Sequence, residues 1–297
     1  MPLDFHWDPS CPPIATIHRH LCGAPEQWPM PGREELSPIQ RRRAHERWRA
    51  RLRATYASVH QASAIHRTLL NHHLPLDIQS AQTYVLSELN RHLALQGHLI
   101  DSLGGPTHIE GPSPLMPADR LPGLTYQLAS LYGFNLALTL PLYEAIATVA
   151  DHRAIREIAN MLAESTEELL ALGKLLLTWL HRHPCTDDAP LSPVDLGDLM
   201  ATHEACIGAN PELLDRLAGT ELALSQRRDN PGILTPLEEA TIFYATLSDS
   251  IFPLFEHLGF APLEHFHARR GDRQKGSQYP AIIAATGIHT SSLPTRH

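Results

Sequence analysis

Apolar residues recur at intervals of three and four along most of the chain, the spacing of helices that bury one face. Ser37 and Pro38 open such a segment, which runs to about Asn71 with Trp48, Leu52, Tyr56 and Val59 along one stripe. After His72-His73-Leu74-Pro75 a second spans about 77–103, with Val85, Leu89, Leu93, Leu99 and Leu103 as its stripe, and Gly104-Gly105-Pro106 ends it. A third, 122–150, is apolar on nearly every face, as a fully buried helix would be, and Pro141 predicts a kink. A fourth, 152–182, sets Arg153, Arg156, Glu157, Glu164, Glu167 and Glu168 against a leucine face. Ser192-Pro193 begins a fifth that Gly208-Ala209-Asn210-Pro211 closes; two further helices are expected at 211–228 and 236–258, the latter started by Thr235-Pro236-Leu237-Glu238. No segment alternates like a strand and no repeat is visible, so the expected fold is all-α, a helical bundle.

Three stretches lack this periodicity. Residues 1–36 are Pro-rich and predict an irregular arm; 105–121 form a Pro/Gly loop long enough for a lid or crossover; 262–297 read as a loop or tail. The expected division is therefore an N-terminal arm (1–36), a helical catalytic domain (37–261) and a C-terminal closing loop (262–297).

Composition narrows the function classes. The 297 residues are 43% apolar, enough for a substantial core, and carry a formal charge of −8, which argues against a dedicated nucleic-acid binder. The arginine run from Arg41 to Arg53 reads as the solvated face of a helix, or as a dock for an acidic partner. No apolar stretch is long enough to span a membrane and the N-terminus is unlike a signal peptide, so a cytoplasmic protein is expected. Cys11, Cys22, Cys185 and Cys206 form no C-x-x-C pair, which fits reduced thiols. Histidine is the unusual count: 20 residues supply ample ligands for iron or haem.

Two histidines stand where apolar residues are expected. At about 100° per residue, His203 falls near the middle of the stripe formed by Leu196, Leu199, Met200 and Ile207. A buried imidazole requires a partner for each nitrogen. Either a metal and a hydrogen bond meet that need, or the ring is a structural one bonded to a backbone carbonyl or to Glu204. His92 lies on or beside the stripe of the second helix, with Glu88 one turn earlier, close enough to orient it. Two inward histidines on separate helices suit a proximal haem ligand and a distal acid–base group.

A di-iron bundle competes with this assignment. It requires Glu-x-x-His motifs on long helices, and although Glu88, Glu144, Glu164 and Glu168 are suitably placed, the one close match is Glu264-His265-Phe266-His267 in the tail. A third possibility is a non-enzymatic helical binding or interaction protein whose histidines are structural. No G-x-G-x-x-G, Walker A or G-x-S-x-G motif occurs. His181-Arg182-His183-Pro184-Cys185 reads either as a cofactor-attachment segment or as positive charge at a helix C-terminus. The run from Arg269 to Tyr279 is either a solvated tail or a loop holding carboxylates, for which arginine forks and Gly-Ser amides are suited.

The helical chain, Asn71-His72-His73-Leu74-Pro75 leading into Tyr84-Val85-Leu86-Ser87-Glu88-Leu89-Asn90-Arg91-His92, the inward His203 and the Gly276-Ser277 loop together resemble the haem-dependent L-tyrosine hydroxylases of antibiotic biosynthesis, relatives of tryptophan 2,3-dioxygenase that supply L-DOPA to lincosamide and pyrrolobenzodiazepine pathways. The resemblance implies haem b as cofactor, His203 as axial ligand to its iron, and His92, assisted by Glu88, as distal catalytic group. It implies hydrogen peroxide as oxidant and hydroxylation of the tyrosine ring ortho to the phenol. Arg269 and Arg273 would hold the haem, and Lys275, Ser277 and Tyr279 the substrate. A His-x-x-x-Cys haem cross-link known in one branch would correspond to His181 and Cys185, although these precede the ligand helix. Related enzymes associate, which leaves a homo-oligomer open.

Overall fold

The computed structural model describes residues 2–3, 12–23, 25–32, 35–104, 109–110, 122–184, 190–206 and 229–268. Helices account for nearly all of the regular structure, so the chain is all-α. The helices are α1 (Pro12–Cys22), α2 (Pro38–Asn71), α3 (Leu76–Ser102), α4 (Leu124–Leu128), α5 (Leu136–Val149), α6 (Arg153–Arg182), α7 (Pro193–Cys206), α8 (Pro236–Thr246), α9 (Phe252–His257) and α10 (Pro262–Ala268). A π-helical turn at Ala129–Asn135 joins α4 to α5, and a second at Leu247–Ile251 joins α8 to α9. None of the described helices is long and apolar enough to cross a membrane.

The chain divides into two compact units. The first holds Met1–Leu121, Ile146–Ser165 and Gln226–Ile233; the second holds Pro122–Ala145, Thr166–Ser225 and Leu234–His297.

In the first unit α2 and α3 form a hairpin. Ser37 caps α2 reciprocally: its hydroxyl accepts from the Gln40 amide at 3.3 Å, while Gln40 Oε1 accepts from the Ser37 amide at 2.8 Å. Pro38 then occupies a first-turn position where its missing N–H is no loss. Trp48, Leu52, Ile65 and Leu69 of α2 and Val85, Leu89, Leu99 and Ile100 of α3 are all buried. Gln82 Nε2 donates to the Ala62 carbonyl at 2.9 Å, a polar tie across this apolar seam. From His92 to Gly97 every residue of α3 is buried, so the one-sided stripe of its first half gives way to burial all round.

Two expectations for the irregular stretches need correction. The arm contains α1, which packs on α3; Pro12 and Pro13 begin that helix rather than forbid one. The 105–121 loop contributes Ile109–Glu110 to a two-residue antiparallel ladder with Pro2–Leu3, too short to leave an alternating pattern.

In the second unit the chain stays helical through Pro141, and the departure from α geometry lies earlier, at the first π-helical turn. Close backbone approach fixes that turn. A Cβ on Gly173 of α6 would meet Tyr132 Cδ1 at 1.9 Å, and one on Gly133 would meet Phe255 Cζ at 2.8 Å. Tyr132, Phe134 and Phe255 are fully buried in consequence. The second π-helical turn ends two residues before Pro253, which has no N–H to donate to the preceding turn. The tail boundary also shifts, because α10 occupies Pro262–Ala268 and packs on α7, with Phe266 against Phe252 at 5.8 Å between centroids. The helix expected at 211–228 lies outside the described residues.

Candidate functional site

His92 belongs to the first unit and His203 to the second, so each is defined by the surroundings of its own unit. His92 is 4% exposed, as its stripe position predicts, and its Nε2 is buried with no hydrogen-bond partner among the described residues. Burial, assisted by the positive charge of Arg91, pushes its pKa down to about 3, so the ring is neutral.

Glu88 does not orient it. Glu88 Oε2 accepts from Arg91 at 3.1 Å and from the Ser165 hydroxyl of α6 at 2.9 Å, and this pairing takes the carboxylate away from the imidazole. Cys22, at the end of α1, is buried close enough to feel both charges of that pair. Burial raises its thiol pKa first, Glu88 adds to the rise, and Arg91 opposes it.

A neutral buried imidazole has a consequence for stability. The folded pKa of His92 lies below the 6.5 of a free histidine. Its contribution is therefore complete above pH 6.5 and is lost as the pH falls from there toward 3, where the unfolded chain binds the extra proton. The expected slope is about 1.4 kcal/mol per pH unit. His92→Leu should flatten the dependence of unfolding free energy on pH between 6 and about 4, and should stabilise the fold at pH 5 by removing an unbonded polar nitrogen. Denaturant titrations at several pH values read both effects; an unchanged slope would mean that His92 is not buried as a neutral ring.

His203 lies on α7, whose start follows the expected signal. Ser192 Oγ donates to Asp195 Oδ2 at 2.6 Å, and the Asp195 amide donates back to Ser192 Oγ at 3.2 Å. Leu196, Leu199 and Met200 are buried as predicted. Glu204 is also buried on this face, 3% exposed, while His203 is only half-buried.

Glu204 is not the partner of His203. It accepts the Tyr244 hydroxyl of α8 at 2.6 Å. The His203 imidazole instead lies flat on Phe134, with ring centroids 5.4 Å apart and planes 7° apart, and it makes no hydrogen bond among the described residues. Burial pushes its pKa down to about 4. Phe134 continues a series of ring contacts, with Phe255 at 5.4 Å, then Phe260 at 6.1 Å from Phe255, then the exposed His181 at 6.5 Å from Phe260.

Sequence periodicity could not find Phe134 or Tyr244. The π-helical turn shifts the phase of the pattern around Phe134, and Tyr244 meets Glu204 across forty residues of chain. Arg269, Arg273, Lys275, Ser277, Tyr279 and Cys185 lie outside the described residues. Among the described residues no three His, Cys, Asp or Glu side chains gather as a metal site, so the carboxylate cluster of a di-iron bundle is not formed there. No protein-family model matches the chain, and no curated protein or solved structure matches it significantly.

Proposed function

We propose that this chain is a histidine-ligated haem oxygenase that uses hydrogen peroxide to hydroxylate L-tyrosine ortho to its phenol, giving L-DOPA and water. The observation that carries the proposal is the state of His203: a half-buried imidazole, held neutral, stacked on a phenyl ring and without a hydrogen-bond partner among the described residues. A structural histidine would be bonded to a carbonyl or carboxylate. A neutral imidazole with an uncommitted lone pair is the form that ligates iron.

The residues fit haem on that criterion. His203 would hold the iron, and burial keeps protons from competing for its nitrogen at neutral pH. Haem, when bound, supplies the redox centre at which peroxide is cleaved. Arg269 and Arg273 would pair with its propionates, and Lys275, Ser277 and Tyr279 would engage the amino acid; these assignments come from the family resemblance alone.

His92 and Glu88 also enter as catalytic groups through that resemblance. With its pKa near 3, His92 is a weak base, better suited to accepting or donating a hydrogen bond than to carrying a proton away. Glu88 pairs with Arg91 and Ser165, so its part in the proposal is to hold Arg91 beside His92 rather than to touch the ring.

The test is direct. The chain reconstituted with haemin and given L-tyrosine and hydrogen peroxide should form a product heavier by one oxygen atom with catechol chemistry. His203→Ala should reduce turnover to that of free haemin. Absence of product from the reconstituted wild-type chain would refute the proposal.

A further inference from the structure

We infer that Phe134 is the positioning residue for His203: the first π-helical turn presents its ring so that it sets the plane of the imidazole, and with it the direction of the nitrogen lone pairs. The link to iron in this inference rests on the haem proposal above; the link between the two rings does not.

Three consecutive residues of the turn are each fixed by a different neighbour. Tyr132 fills the place where Gly173 lacks a side chain, Gly133 lets Phe255 approach its backbone, and Phe134 faces His203. Phe134 is fully buried and is also in ring contact with Phe255 at 5.4 Å, with the planes 34° apart. Its ring therefore has no room to turn, since buried side chains are packed at crystal-like density.

The geometry decides what that rigidity does. Imidazole lone pairs lie in the ring plane, so a partner lying parallel to that plane leaves the nitrogens pointing past it, and Phe134 offers them no polar atom. Metal-binding histidines usually have their plane set by a hydrogen bond from the second nitrogen. Among the described residues His203 has none, and the phenyl stack takes over that function. The π-helical turn is essential to the arrangement: its wider hydrogen-bonded ring changes the phase of the helix, and Phe134 stands at its sixth residue.

Histidine ring NMR on the haem-free chain tests this, with the His203 signal assigned by its loss in His203→Ala. In the wild-type chain the ring should give one narrow resonance set, displaced by the ring current of the stacked phenyl. Phe134→Leu, which keeps an apolar side chain but removes the planar face, should abolish that displacement and broaden the His203 signals. Phe255→Leu makes a comparable change one contact further away and should disturb His203 less than Phe134→Leu does. If Phe134→Leu does not fold, Phe134→Tyr, which retains the ring, should fold and keep the wild-type signal.

A folded Phe134→Leu with unchanged His203 ring signals, an equal change in Phe255→Leu, or a freed His203 in Phe134→Tyr would overturn the inference. Haemin binding separates the two proposals. Phe134→Leu should weaken it about tenfold, the size of effect usual for groups that orient a ligand. If haemin binding ignores both Phe134→Leu and His203→Ala while the NMR shift appears, ligation fails and positioning stands.

Discussion

Gly173→Ala is expected to destabilise the chain by about 3 kcal/mol, although alanine is intrinsically the better helix residue by about 0.5–1 kcal/mol. Steric overlap decides the sign. The new methyl carbon would lie 1.9 Å from Tyr132 Cδ1 and 2.2 Å from its Cγ, well inside van der Waals contact. The clash falls on the stem of the ring, not on a flexible end, and Tyr132 is fully buried, so neither side can give without repacking the π-helical turn. Gly97 of α3 provides the contrast, because a Cβ there meets nothing within 4 Å. Gly97→Ala should be neutral or stabilising by up to about 1 kcal/mol. Denaturant unfolding of the two variants beside the wild type makes the comparison. Equal stability of Gly173→Ala and Gly97→Ala would show that Tyr132 does not occupy the surface of α6.

The same crowding explains which parts of the molecule were legible in the sequence. Helices α2, α3, α6 and α7 start and stop within about two residues of their expected ends wherever those ends are described, because Ser37-Pro38, the hairpin after Asn71 and Ser192-Pro193 are local signals. The stripes of α3 and α7 also hold: Val85, Leu89, Leu99, Leu196, Leu199 and Met200 are all buried. Helix α1 was legible in principle, since Pro12-Pro13 is an acceptable helix start, but a Pro-rich context suggests irregular chain. The π-helical turns were not legible. In the first of them the phase shift is tied to Gly173 and Phe255, partners that lie far along the chain.

The candidate site divides along the same line. That His92 lies inside the fold followed from spacing; that its Nε2 has no partner among the described residues did not, because Glu88 was the obvious partner and is taken by Arg91 and Ser165 from two directions. For His203 the stripe gave the right helix face but too great a depth. Glu204 is buried more deeply than His203, bonded to the Tyr244 hydroxyl, and the imidazole lies against Phe134. A half-buried histidine, neutral and without a hydrogen bond among the described residues, is a better ligand than one sealed inside the face.

His203→Ala is expected to have the largest functional effect, because on the haem proposal it removes the iron ligand itself rather than a group that supports it. Its pH dependence is equally specific. A histidine of ordinary pKa begins to lose metal to protons below about 6.5. His203, with a pKa near 4, should hold haem with undiminished affinity down to about pH 5. The sign follows from the depressed pKa: the ring stays neutral and able to ligate throughout that range, and competition begins only as the pH approaches 4.

One haemin titration followed in the Soret region, run on the wild-type chain and on His203→Ala between pH 8 and pH 5, tests iron ligation by His203 most directly. Ligation predicts a shifted, saturable Soret band in the wild-type chain that is insensitive to pH over that range, and the spectrum of unbound haemin in the variant. A wild-type chain that leaves the haemin spectrum unchanged, or a His203→Ala variant that shifts it equally, would contradict it.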